Sequence, residues 1–284
     1  MSGFSPEWLA LREPFDAAAR AADVVATLRA QLAQDTEIVD LGAGAGSNLR
    51  YLAPLLGGTQ RWRLLDHDAE LLDAAVAATR AWAAARGARS ERRGDALAIH
   101  ARDFECELRC EQRELSTIAA LELPAGCFVT AAALLDLVST EWLDALAASC
   151  ARARARVLFA LTYDGRTVCS PAEPEDALVL ELFNRHQHRD KGFGRALGPD
   201  AARAAEAAFR RQGYTVSAHE SDWHIDAREH AMQRALLEGW LGAAVEIAPE
   251  KRAQLAAWHE RRRAHVAAAR SKLRVGHVDV VGWP

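Results

Sequence analysis

The sequence predicts an α/β protein built on a doubly wound, mostly parallel sheet. Three observations carry that expectation. Short apolar runs alternate with longer helical patterns from residue 36 to 163. The first run, Glu37 to Leu41, breaks straight into Gly42-Ala43-Gly44-Ala45-Gly46. An acid, Asp66, closes the next run twenty residues after Gly46. Strands and helices alternating at these lengths need right-handed crossovers, which put helices on both faces of a parallel sheet.

Ser5-Pro6-Glu7 reads as a helix start, a hydroxyl cap followed by proline at the first helical position. Pro14 restarts the chain into a second helix to about Leu32, with Phe15, Val25, Leu28 and Leu32 on one stripe. Glu37 to Leu41 is a buried strand, and Asn48 to Leu56 a helix stopped by Gly57-Gly58. Arg61 to Leu65 is the second strand, and Ala69 to Arg86 a helix with Leu72, Val76, Thr79 and Ala83 inward. Residues 87–103 read as loop. Cys106 to Leu115 is a third strand, Cys127 to Ala133 a fourth, Thr140 to Ala151 a helix and Val157 to Tyr163 a fifth strand.

After Tyr163 the rhythm changes. Residues 164–198 are polar and rich in Pro and Gly around one helix, about Pro174 to Arg185. Pro199 to Gln212 is a helix and Tyr214 to Ser221 a strand. Two more helices follow, about Ala227–Ala244 and Pro249–Lys272, and Gly276 to Trp283 closes the chain as a strand. Leu255, Trp258, Val266, Ala269 and Leu273 recur at helical spacing in the second of these helices. No repeat or low-complexity linker divides the chain, so residues 1–284 are expected to form one domain with helical additions.

Composition removes several functions. Of 284 residues, 50% are apolar and 26% charged, which suits a packed core rather than a disordered polymer. A net charge of −4 gives no overall attraction to nucleic acid or anionic lipid. No apolar run approaches the roughly 20 residues of a membrane span. The N-terminus carries acids and lacks the basic-then-apolar order of a secretion signal, so a cytoplasmic enzyme or binding protein is expected. The five cysteines form no C-x-x-C pair, and reduced, buried thiols are expected rather than disulfides or a zinc site.

The chemistry concentrates in Val39-Asp40-Leu41-Gly42-Ala43-Gly44-Ala45-Gly46-Ser47. Alternate glycines let the backbone bend sharply and let a ligand approach with no Cβ in the way. Asp66, at the carboxyl edge of the sheet, can accept both hydroxyls of a ribose. A dinucleotide site wants G-x-G-x-x-G/A, whereas here the sixth position is Ser47 and the third glycine comes one residue early. Asp40, just before the loop, repels a pyrophosphate and suits the amino group of an amino acid.

This segment resembles motif I of the class I S-adenosylmethionine (SAM)-dependent methyltransferases, an acid followed by G-x-G-x-G. The resemblance covers roughly residues 36–163, with Leu65-Asp66-His67-Asp68 after the second strand and Ala133-Leu134-Leu135-Asp136-Leu137-Val138-Ser139 after the fourth. It implies that Gly42, Gly44 and Gly46 face the methionine part of SAM and that Asp40 fixes the loop and the amino group. It further implies that Asp66 takes the ribose hydroxyls, His67 packs near the adenine, and Leu134 to Asp136 lie beside the methyl-transfer centre. The family often holds the adenine amino group with an acid at the end of strand three. Glu114-Leu115-Ser116 occupies that region without a clear match, leaving Ser116 as the expected contact.

The remaining polar segments offer candidates. Asn184 to Gly194 is dense in donors and glycine, and reads as a loop over the sheet edge or as a solvated helix end. His186-x-His188 with Asp190 lacks a full metal-ligand set, and no metal is expected. Tyr163-Asp164-Gly165-Arg166 reads as a substrate wall or an Asp-Gly turn. His219, Trp223 and His224 gather at the sixth strand, where Trp223 can stack on a ring. Trp8, Arg12, Asp16 and Arg20 share one helical phase, either as a salt-bridged face or as a lid. Arg261-Arg262-Arg263 reads as a solvated helix face.

Together these imply a Rossmann-like class I methyltransferase fold, seven strands with the last antiparallel. The layout is a helical lid over 1–34, a SAM-binding core over 36–163, a substrate loop over 164–198 and a helical insertion over 227–272. The implied activity is methyl transfer from SAM to a small-molecule acceptor by in-line displacement, leaving S-adenosyl-L-homocysteine (SAH), with no nucleic-acid or membrane partner. Asp136, His186 and His224 are the base candidates, and Tyr163, Arg166, Asn184, Lys191 and Trp223 the substrate contacts. The alternatives are a SAM-binding lyase or cyclase releasing methylthioadenosine, and a SAM-binding regulator.

Overall fold

Ile38, Val39 and Leu41 are fully buried, so the first strand is apolar on both faces and takes the middle of a covered sheet. The computed structural model describes residues 5–30, 32 and 35–284, so parts of the expected 1–34 segment lie outside the described residues. The chain runs α1 (Pro6–Ala19), α2 (Ala22–Arg29), β1 (Asp35–Leu41), α3 (Ser47–Leu56), β2 (Gly58–Asp66), α4 (Ala69–Ala85), β3 (Arg89–Arg93), β4 (Ala96–His100) and β5 (Phe104–Gln112). It continues through β6 (Phe128–Ala132), α5 (Thr140–Ala153), β7 (Arg156–Ser170), α6 (Asp176–Gln187), α7 (Ala201–Arg211), β8 (Thr215–Glu220) and β9 (Trp223–Ile225). Then come α8 (His230–Ile247), α9 (Arg252–Ala267) and β10 (Lys272–Trp283).

The strand order is β3-β4-β5-β2-β1-β6-β7-β10-β8, with β9 also on β10. Strands β5, β2, β1, β6 and β7 are mutually parallel, and β10 is antiparallel to both β7 and β8. The doubly wound, mostly parallel sheet with an antiparallel last strand is therefore present. Chain order reverses at β1, which has β2 on one side and β6 on the other. The crevice beyond the carboxyl ends of these strands is where such a sheet takes ligands. Leu49 and Leu52 of α3 pack with Leu72 of α4 on one face, while Leu143 and Leu146 of α5 pack with Phe209 of α7 in a separate cluster.

Four expectations need correction. Among the described residues the sheet has ten strands, not seven, because residues 87–103 form a two-stranded hairpin and Trp223–Ile225 adds the short β9. The two-residue turn of the hairpin is Gly94-Asp95, and β4 buries Ala96, Leu97, Ala98 and Ile99. Pro14 lies inside α1 and does not restart the chain. A proline there costs one main-chain hydrogen bond, and the break comes instead at Arg20, whose backbone is extended.

The third correction concerns β7, which does not end at Tyr163. Asp164 and Gly165 are absorbed as a bulge, with Gly165 at φ 86°, and Thr167 to Ser170 go on to pair with Lys272 to Val275. Gly276 opposite must be glycine, because a side chain there would collide with the Asp164 carboxylate. Fourth, α9 ends at Ala267, and the closing strand begins at Lys272.

The long β7–β10 ribbon supports a third apolar cluster formed with α6, α8 and α9. Val179, Leu182, Leu237, Trp240, Leu255 and Trp258 are its centre, and Trp8, Leu11 and Phe15 of α1 pack against it. Arg262, expected on a solvated face, is fully buried. Its Nε donates to Asp176 Oδ1 at 3.0 Å and its Nη1 to the Pro171 carbonyl at 2.6 Å. Among the described residues no helix is long and apolar enough to cross a membrane.

Candidate active site

Beyond Leu41 the chain turns through Gly42, Gly44 and Gly46, at φ 64°, 50° and 76°. Side chains rarely adopt this region, so glycine lets the strand fold back into α3 within a few residues. A Cβ on Gly44 would lie 3.2 Å from Leu9 Cδ1, and one on Gly42 would lie 3.3 Å from Leu134 Cδ1. The loop is thus pressed between α1 and the segment after β6.

Asp66 closes β2 beside this loop and is buried. Gly44 N–H donates to its Oδ2 at 2.8 Å, Asp68 N–H donates to its Oδ1 at 3.0 Å, and His67 Nδ1 lies 3.1 Å from Oδ1. A cavity of about 440 Å³ opens above. Asp66, His67, Glu114 and Ser116 form one side of it, and Gly42, Gly44 and Leu134 the floor. Leu9 and Arg12 of α1 also line it, with His186, Arg189, Lys191, Phe193 and Glu246.

Beneath the loop lies a buried polar chain. Asn48 Nδ2 donates to Asp40 Oδ1 at 2.8 Å and reaches Thr130 Oγ1 at 3.1 Å, and Thr130 donates to the Leu158 carbonyl at 2.8 Å. Arg20 Nη1 donates to Asn48 Oδ1 at 2.8 Å, and its guanidinium lies over the Tyr51 ring at 4.5 Å. Burial pushes the Asp40 carboxyl up to about 7, against the Asn48 hydrogen bond and the Arg20 charge. Among the described residues Asp40 Oδ2 and Arg20 Nε and Nη2 have no hydrogen-bond partner. Asp279 Oδ2 lies 3.9 Å from that Nε.

Arg20 and Asn48 line a second cavity of about 380 Å³. It shares Ala132 with the first, and α1 contributes to both: Leu9 and Arg12 to one, Glu13, Asp16 and Ala17 to the other. Helix α1 therefore lies across the boundary. It is held there by Arg50, which donates to Glu13 Oε1 at 2.8 Å and Oε2 at 2.5 Å.

Of the residues singled out in the sequence, Gly42, Gly44, Asp66, His67, Ser116, Leu134, His186 and Lys191 meet around the first cavity. Asp40 sits beneath it, and Gly46 at the start of α3. Asp136 is buried just behind, its Oδ1 unpartnered among the described residues and its carboxyl pushed up to about 6 by burial.

Five others stand outside the cavity wall. Tyr163 donates to Asn184 Oδ1 at 2.8 Å and Asn184 Nδ2 to the Gly165 carbonyl at 3.0 Å, so both pin the bulge in β7. Arg166 is held by Asp164 at 2.6 Å and Asp222 at 2.9 Å. Trp223 is buried, donating to Asp16 Oδ1 at 3.0 Å with Arg12 over its ring. His224 is exposed, because side chains alternate along β9 and its neighbours Trp223 and Ile225 take the buried face.

Leu9, Arg189, Phe193 and Glu246 join the cavity without having been singled out individually. Arg189 and Phe193 lie within the donor-rich stretch; Glu246, near the end of α8, carries no sequence signal at all. Among the described residues no three His, Cys, Asp or Glu side chains gather to hold a metal.

No family model matches the chain, and no curated protein does. Among solved structures it is similar to a SAM-dependent methyltransferase from Thiobacillus denitrificans in complex with SAH, at 16% identity and TM-score 0.46, covering 99% of each chain. It is similar to one from Geobacter sulfurreducens with SAH, at 18% identity and TM-score 0.45, covering 94% of this chain and 92% of that one. A third is magnesium protoporphyrin IX methyltransferase from Synechocystis with bound SAM, at 15% identity and TM-score 0.41, covering 72% and 73%.

Proposed function

We propose that the chain is a SAM-dependent methyltransferase acting on a small-molecule acceptor. The observation that carries this reading is the pair of acids around the glycine loop, Asp66 beside the cavity and Asp40 beneath it with a free oxygen. A nucleoside with an amino-acid arm satisfies both. Asp66 keeps lone pairs for ribose hydroxyls after accepting from Gly44 and Asp68. His67, Glu114 and Ser116 would border the base. The free Asp40 oxygen suits an ammonium group, and the free N–H groups of Arg20 suit a carboxylate.

SAM, when bound, supplies a sulfonium methyl and a neutral leaving group, so the protein's main task is to hold a nucleophile in line. Leu134 presents an apolar side chain to the cavity, and α1 and the 184–194 segment contribute to its lining. A cavity of about 440 Å³ suits a small acceptor better than a polymer. The same reading takes residues 1–284 as one catalytic unit whose helical additions roof the site.

Calorimetry with SAM, SAH and NAD tests the reading. SAM and SAH are expected to bind and NAD to give no heat. NAD binding without SAM binding would contradict it.

A further inference from the structure

The chain contains 35 Lys and Arg residues, of which only Lys191, Lys251 and Lys272 are lysines. Arginine stays protonated at any working pH, whereas a lysine amine can lose its proton and take another. One of the three lysines lines the proposed methyl-transfer cavity. The two arginines there are committed to carboxylates, Arg12 to Asp16 at 2.9 Å and Arg189 to Glu246 at 2.6 Å. Lys191 Nζ instead lies 3.4 Å from His186 Nδ1, and His186 Nε2 lies 3.2 Å from Glu246 Oε2. Glu246 can only accept, so His186 carries its proton on Nε2 and offers Nδ1 to the lysine. The Glu246 carboxylate is exposed, so this chain of three groups leads from the cavity to solvent.

We propose that Lys191 is the general base for a hydroxyl acceptor, with His186 and Glu246 holding the amine and carrying its proton to solvent. The inference rests on the methyl-transfer reading above. As the acceptor O–CH3 bond forms, the S–CH3 electron pair remains on sulfur and the hydroxyl proton passes to the neutral Lys191 amine. That proton then leaves through His186 and Glu246 to water, restoring the base.

The surroundings weaken the hold of the amine on its proton. Burial pulls the Lys191 amine below its ordinary range, and Arg189 pulls the same way. Glu246 from α8 and Asp136 from behind the floor oppose this. Arg12 of α1 and Asp190 also line the cavity. Burial is the chief cause that holds His186 below its ordinary range, which disfavours a charged ring between the amine and Glu246.

Two measurements test this. First, trace acetic anhydride labels the three lysines across pH 6–11, with each site read by mass spectrometry. The Lys191 midpoint is expected below the other two, and lower still in Glu246→Gln. A Lys191 midpoint coinciding with the other two overturns the proposal, whatever the enzyme assay shows.

Second, methyl-labelled SAM is incubated with the small-molecule fraction of a cell extract. Lys191→Arg and Lys191→Ala are expected to transfer label at least about 100-fold more slowly, with SAM affinity within a few-fold of the parent. Added ethylamine should restore part of the Lys191→Ala rate, more at higher pH. Glu246→Gln should move the pH profile of transfer. Equal transfer by the parent and both Lys191 variants overturns the base but leaves the methyltransferase reading standing. A parent protein that binds no SAM overturns that reading and the base with it.

Discussion

Gly44 N–H donates to Asp66 Oδ2 at 2.8 Å, so the acid that ends β2 holds the loop that follows β1. One carboxylate thereby shapes the floor of the cavity and presents its remaining lone pairs to it. Positioning and recognition depend on the same side chain, and its loss should show in both.

Asp66→Ala is expected to lower SAM affinity at least about tenfold. Hydrogen bonds to a charged group are worth roughly 1.5–3 kcal/mol each, and about 1.4 kcal/mol is a factor of ten. Calorimetry reads the affinity, and the melting temperature shows whether the fold survives. Unchanged affinity in a folded variant would remove Asp66 from the site.

Asp40 sets a pH dependence. Its folded pKa of about 7 lies above the unfolded value of roughly 3.9. Between those limits the folded chain holds a proton that the unfolded chain has lost. The stability contributed by this group is therefore full below about pH 4 and is lost as pH rises through 7. Asp40→Asn should flatten that fall.

If an ammonium group binds at Asp40 Oδ2, it expels the same proton. SAM affinity should then rise about tenfold from pH 6 to pH 8 in the parent. Calorimetry in two buffers of different ionisation heat should find proton release in the parent and none in Asp40→Asn. Identical proton release in the variant would place the ammonium elsewhere.

Arg20 can be tested by comparing two ligands in one variant. Arg20→Met should weaken SAM binding by about tenfold or more, as expected for a lost charge-assisted bond, while decarboxylated SAM is bound as by the parent. The ratio between the ligands cancels any general loosening of α1. A variant that weakens both equally would make Arg20 a structural support only.

Arg262 ties α9 to α6, the helix that carries His186 to the cavity. Besides Arg262, Asp176 has the Trp258 indole N–H, donating to Oδ1 at 2.8 Å, among its partners. Arg262→Met leaves the half-buried Asp176 carboxylate short of its counter-charge and should cost about 1–3 kcal/mol in urea unfolding. A loss below about 1 kcal/mol would mean that the apolar cluster holds the two helices together without the pair.

The β1–loop–β2 unit was legible in the sequence because its signals are local. Val39 and Leu41 had to be buried, alternate glycines had to turn, and Asp66 had to end the next strand at the sheet edge. The β3–β4 hairpin was hidden by Arg89, Glu91, Arg92 and Arg93, which suit an exposed edge strand as well as a loop. Asp164-Gly165 had the composition of a turn, and only pairing with β10, more than a hundred residues away, makes it a bulge. Arg262 looked solvated beside Arg261 and Arg263, since its partner Asp176 lies 86 residues earlier. Glu246 reaches His186 across 60 residues for the same reason. Long-range partners leave no mark on local spacing.

Methyl transfer is tested most directly by following the methyl group. The protein is incubated with methyl-labelled SAM and the small-molecule fraction of a cell extract, and the adenosine product is identified by mass spectrometry. Label moving into a small molecule in step with SAH formation is the predicted result. Methylthioadenosine appearing in place of SAH, or SAM bound tightly and never consumed, would contradict it.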